Sequence, residues 1–87
     1  MLELDKKIVC FVELFRDRLA DDLLNDVVHY IKSDERGLAF ETLCDHLSEY
    51  EIAITKNEYD VAISICNELR LDVNDISIKC MFNLISQ

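Results

Sequence analysis

The sequence predicts an all-α fold, a compact bundle of four to five short amphipathic helices forming one domain over residues 1–87. Three observations predict it. The chain has one glycine and no proline, so it lacks the residues that the many turns of an all-β fold require. Apolar residues recur at three- and four-residue spacing along most of its length. Its 87 residues are too few to divide into halves that each bury a core.

Each helix has its own signature. The first is expected from Leu4 to about Arg18, where Leu4, Ile8, Phe11, Val12, Phe15 and Leu19 keep the helical period. Asp21 and Asp22 open the second, DDLLNDVVHYIKS. Leu23, Leu24, Val27, Val28 and Ile31 face inward there, and Asp22, Asn25, Asp26 and His29 outward. Acids in the first turn and Lys32 in the last suit the helix dipole, which accounts for Asp21 and Asp22 without invoking a ligand. SDERG interrupts the pattern, and Gly37 is the residue free to take a positive φ. A third helix follows from Leu38 to Tyr50, with Phe40, Leu43, Cys44 and Leu47 inward.

EIAI alternates like a short extended link. Thr55 and Glu58 have capping-box spacing for a fourth helix. Its Tyr59, Ala62, Ile63, Cys66 and Leu69 form one apolar face, and Val61 and Ile65 a second. Residues 74–86 fit two periods. Ile76, Ile78, Cys80 and Phe82 alternate as a strand would, whereas Val73, Ile76, Cys80 and Leu84 keep helical spacing. A solitary strand would find a partner only in EIAI, so a helix is expected.

Charge narrows the function. With 18 acidic and 9 basic residues the chain carries −9. That disfavours nucleic acid, whose binders present Lys and Arg to phosphate, and anionic membranes alike. No apolar run reaches the ~20 residues of a bilayer span, and the charges within MLELDKKIVCFVELF are unlike a secretory signal. A cytoplasmic location is expected. The acidity itself is compatible with a basic partner or with simple solubility. Within the third helix Glu41, Asp45 and Glu49 stand four residues apart, so three like charges share one edge at a cost of a few tenths of a kcal/mol per pair. Composition is 51% apolar, enough to suggest a covering chain, and the off-stripe residues Val9, Cys10, Val61 and Ile65 are the candidates for a homodimer contact.

Catalytic material is sparse. His29 and His46 lie on the polar sides of their helices, and Ser48 near Asp45 and His46 imitates a triad in composition only. Cys10, Cys44, Cys66 and Cys80 form no C-x-x-C pair, and Cys44 and His46 diverge on a helix, so free thiols and no metal are expected. No cofactor and no enzymatic activity are expected. A carrier protein would need a D-S-L serine, which neither Ser33 nor Ser77 provides.

Residues 37 to 59, GLAFETLCDHLSEYEIAITKNEY, resemble the MafI family of bacterial immunity proteins, whose pattern is G-x-A-x-E-x-L-C-D-x-L-x-E-Y-x-I-P-I-T/S followed by an E-Y pair. Ala53 departs from it at the proline position. The motif gives no support to residues 1 to 20 and 72 to 87. The resemblance implies a protein that binds and neutralises the C-terminal nuclease domain, often an RNase, of a cognate secreted toxin. On that reading Glu41, Asp45, Glu49 and Glu51 are candidate toxin contacts, with Asp22, Asp26, Asp60 and Glu68 as less patterned acids. The competing reading has the motif's acids capping helices or pairing with neighbouring cations. Tyr50 and Tyr59 suit either interface anchors or the core, and the core is favoured. A DNase-colicin immunity protein is an alternative, although no Tyr-Tyr pair is present. A helical adaptor or oligomerisation module without a toxin is another.

Overall fold

The computed structural model describes residues 2–86, and five helices account for most of them: α1 (Glu3–Glu13), α2 (Asp21–Lys32), α3 (Arg36–Glu49), α4 (Lys56–Glu68) and α5 (Ile76–Phe82). α1 and α3 occupy the middle. α2 packs on both, α4 lies against α1, and α5 lies against α3. A single core runs through all five, built on Phe11, Phe15, Phe40, Leu24, Leu43, Leu47, Ile65 and Ile78. Phe11 meets Phe15 edge-on with ring centroids 5.2 Å apart and Phe40 at 6.4 Å, geometries that the ring quadrupoles favour.

The first helix is shorter than its apolar period predicts. α1 stops at Glu13, and the chain continues through tighter turns in which the N–H groups of Leu14, Phe15 and Arg16 donate to the carbonyls three residues back. Phe15 and Leu19 stay buried because these turns keep advancing the side chains around the same axis. Arg18 fixes this end. Its guanidinium stacks on Phe15 at 4.4 Å, donates to the Leu14 and Ala53 carbonyls, and grips Glu58 at 2.6 and 3.1 Å. Glu58 is also half of the expected capping box: Thr55 Oγ1 accepts from the Glu58 N–H, and Glu58 Oε1 accepts from the Thr55 N–H.

Three helices end alike. After α2, α3 and α4 the residues Asp34, Glu51 and Arg70 take φ of 63°, 50° and 59°. The following N–H of Glu35, Ile52 or Leu71 donates to the carbonyl five residues back, on Tyr30, Leu47 or Cys66. This is the Schellman closure, which ordinarily uses glycine at the left-handed position. The sole glycine is elsewhere. Gly37 lies inside α3 with no positive φ and no atom within 4 Å of where a Cβ would sit, contrary to the turn expected of it.

The ambiguous C-terminal segment is helical as expected over the residues that alternate, and its tail reaches the EIAI link by a single bridge. Residues 76–82 are helical, and Ile85 then forms an isolated parallel bridge with Ile54 of the EIAI link. The Ile54 N–H donates to Leu84, and the Ser86 N–H donates to Ile54. The inward face of α5 is not the one its helical spacing suggested: Ile78 and Met81 are buried, whereas Val73 and Ile76 are exposed.

Candidate partner-binding surface

The distribution of ion pairs separates two populations of carboxylates. Among the described residues, nine of the 18 acids pair with six of the cations. Lys7 reaches Ser64 and Glu68, Arg16 holds Glu13 and Asp21, and Arg18 holds Glu58 and approaches Asp17. Arg36 lies 2.7 Å from both Asp5 and Asp34, Lys56 pairs with Asp60, and Lys6 with Glu3. Most of these tie one helix to the next or stitch a helix to itself. Arg36 beside the buried Asp5 holds that carboxyl below the usual range, and Arg18 does the same for Glu58.

The other nine acids, Asp22, Asp26, Glu35, Glu41, Asp45, Glu49, Glu51, Asp72 and Asp75, form no ion pair among the described residues. All nine lie on α2, on α3 or in the connections before and after α3 and before α5. Every acid of α1 and α4 is paired. Most of the net negative charge therefore belongs to the unpaired set, because the nine paired acids outnumber their six cations by only three.

The acidic edge of α3 lies opposite its core residues. Ala39, Phe40, Leu43, Cys44 and Leu47 are buried; Asp45, Glu49 and Leu38 are exposed, and Glu41 is half-buried. Burial pushes the thiols of Cys44 and Cys66 up, and the nearby Glu41 and Asp75 add to both shifts while Asp72 adds to that of Cys66. At the C-terminal end of α3, Tyr50 is 53% exposed and shares a groove of about 420 Å³ with Arg18, Leu19, Ala20, Asp22, Leu23 and Ile52. The groove joins the end of the α3 edge to the start of α2.

Of the expected contact residues, Glu41, Asp45, Glu49, Glu51, Asp22 and Asp26 all belong to the unpaired set. Asp60 and Glu68 do not, because Lys56 and Lys7 engage them. Asp72 and Asp75, in the connection before α5, also belong to the unpaired set and were not among the expected contacts. Tyr50 is a correction: as the residue capping the end of α3 it leaves the core, while Tyr59 stays half-buried against Phe82. Among the homodimer candidates, Ile65 is also corrected. It is fully buried, because α1 covers the α4 face that carries it. Val9 is half-buried, and Cys10 and Val61 are exposed.

His29 is exposed, but His46 is half-buried with Nδ1 shielded, since packing against three helices narrows the polar arc of α3. Ser48 Oγ is shielded too, and neither atom hydrogen-bonds to a described residue. No serine–histidine–aspartate relay is assembled among the described residues. All four cysteines are free thiols, and no group of three or more His, Cys, Asp or Glu among the described residues could hold a metal ion. No described helix is long and apolar enough to cross a membrane. What the geometry offers is a fixed array of carboxylates with an exposed tyrosine at one end. Compared with family models, with curated proteins and with solved structures, the chain matches none.

Proposed function

We propose that this chain is a stoichiometric inhibitor that binds a basic nuclease domain, in the manner of the immunity proteins its central motif resembles. The observation that carries the reading is that seven of the nine unpaired carboxylates lie on α2, on α3 or in the connections flanking α3. Aligned like charges cost stability, and these acids recover none of it through ion pairs with described residues. A nuclease cleft must attract phosphate and is therefore lined with Lys and Arg. An acidic edge steers toward such a cleft, accelerating encounter to as much as ~10⁸–10⁹ M⁻¹s⁻¹ at low salt, and charge-assisted bonds strengthen once water is excluded. Tyr50 is placed to act as a rigid anchor, because tyrosine supplies large contact area at little entropic cost. On this reading the protein contributes shape and field and performs no bond-breaking itself.

The test takes the C-terminal domain of the toxin that, on this reading, the neighbouring reading frame should encode, a domain expected to be basic. Cells expressing that domain are expected to survive when this chain is co-expressed, and the purified pair to form a 1:1 complex. Survival no better than without the chain would overturn the reading.

A further inference from the structure

A second surface has a different character. α4 packs on α1 and α5 on α3, so the two helices diverge and a groove of about 800 Å³ opens between them. Tyr59 and Ile63 line one side, and Val73, Ile76 and Phe82 the other. Ile76 is 77% exposed and Phe82 is 61% exposed. Phe82 is nevertheless held in place, edge-on to Tyr59 with centroids 5.7 Å apart. α5 therefore turns Ile78 and Met81 to the core and a second apolar pair, Ile76 and Phe82, to solvent.

The surrounding charges indicate what fits. The groove includes Asp60, already paired with Lys56, and Lys79, which has no ion pair among the described residues. The unpaired Asp75 caps the N-terminal end of α5, one turn before Lys79, and the unpaired Asp72 lies three residues earlier. A basic ligand would be opposed by Lys79, and an acidic one by Asp72 and Asp75. A surface with the same order of charges, laid in the opposite direction, matches both. We propose that this groove is the interface of a homodimer. The α5 helices of two copies lie antiparallel, with Ile76 and Phe82 of each copy entering the groove of the other. Lys79 of each then faces the Asp72–Asp75 end of its mate.

Two-fold contacts of this kind are the commonest in soluble oligomers. A standard interface takes roughly 800 Å² per partner, a modest share of the 5218 Å² this chain exposes. The unpaired acids of α2 and α3 do not line the groove, so pairing does not bring them into contact. Nothing in this assignment depends on the inhibitor reading.

Sedimentation velocity of the full chain from about 1 to about 200 μM tests it. A concentration-dependent dimer is expected, weakened roughly tenfold or more by Ile76→Asp and severalfold by Lys79→Glu. Helical content and thermal midpoint should hold in both variants, since both side chains face solvent. A chain that stays monomeric throughout overturns the proposal, as does a dimer that Ile76→Asp leaves intact. If the chain is monomeric and Ile76→Asp instead weakens capture of the basic domain, the groove belongs to that domain and the homodimer is refuted.

Discussion

Replacing Glu41, Asp45 and Glu49 together by Gln, Asn and Gln separates a binding role for these acids from a structural one, because the two roles move stability in opposite directions. None of the three forms an ion pair with a described residue, so none is lost. Two like-charge contacts at four-residue spacing disappear, each worth a few tenths of a kcal/mol. Glu49 also stops opposing the negative end of the helix dipole in the last turn of α3. The triple variant should therefore gain about 0.5–1 kcal/mol in stability. For binding, three partly desolvated charge-assisted contacts at about 1 kcal/mol each sum to about 3 kcal/mol, or about two orders of magnitude in Kd. Urea unfolding reads the first quantity and calorimetric titration with the basic domain reads the second. A loss of more than about 1 kcal/mol in stability would show that the acids hold the fold. Affinity within about twofold of the parent would remove them from the interface.

Tyr50→Ala should leave stability within about 0.5 kcal/mol, since the ring is largely exposed, yet weaken the complex by about 2 kcal/mol in the same titration. Gly37→Ala should stabilise the protein by about 0.5 kcal/mol, and Arg70→Gly by about 1 kcal/mol, both read from urea midpoints. The first removes a flexible residue from a helix with room for a methyl group, and the second relieves a left-handed non-glycine residue. Acid sensitivity follows from Asp5 and Glu58, whose carboxyls their arginine partners hold below the ordinary 3.8 and 4.5. Because folding depresses these values, the stability they contribute is present at neutral pH and is lost as pH falls through the folded values. Unfolding free energy should be flat above about pH 5 and decline below about pH 4, less steeply in Glu58→Gln. Thiol labelling should modify Cys10 at once, and Cys44 and Cys66 only on unfolding, as their burial dictates.

Periodicity located α2 and α3 well because each has an apolar stripe whose centre is buried, Leu24, Val27 and Ile31 in one and Phe40, Leu43, Cys44 and Leu47 in the other. Leu23 and Val28 lie half-buried at the margin of the first. It failed where different backbones share a period. The turns after Glu13 carry Phe15 and Leu19 inward as a helix would, so the pattern conceals the end of α1. In α5 the two candidate faces are about equally apolar, and only packing on α3 selects Ile78 and Met81 over Ile76. Turn chemistry misled at Gly37 because closures at Asp34, Glu51 and Arg70 are fixed by the carbonyls behind them and tolerate side chains. The acidic edge of α3 was legible from spacing alone. Which acids stay free of cations was not, since Arg36 reaches Asp5 across 31 residues and Arg18 reaches Glu58 across 40.

The most direct test of the account is the salt dependence of association between this chain and the basic toxin domain it is proposed to bind. If an unpaired acidic edge drives capture, the association rate should fall steeply between about 0.01 and 0.5 M salt, by about tenfold or more, and the Glu41, Asp45 and Glu49 triple variant should show a shallower slope. A rate indifferent to salt, with the same slope in parent and variant, would contradict it.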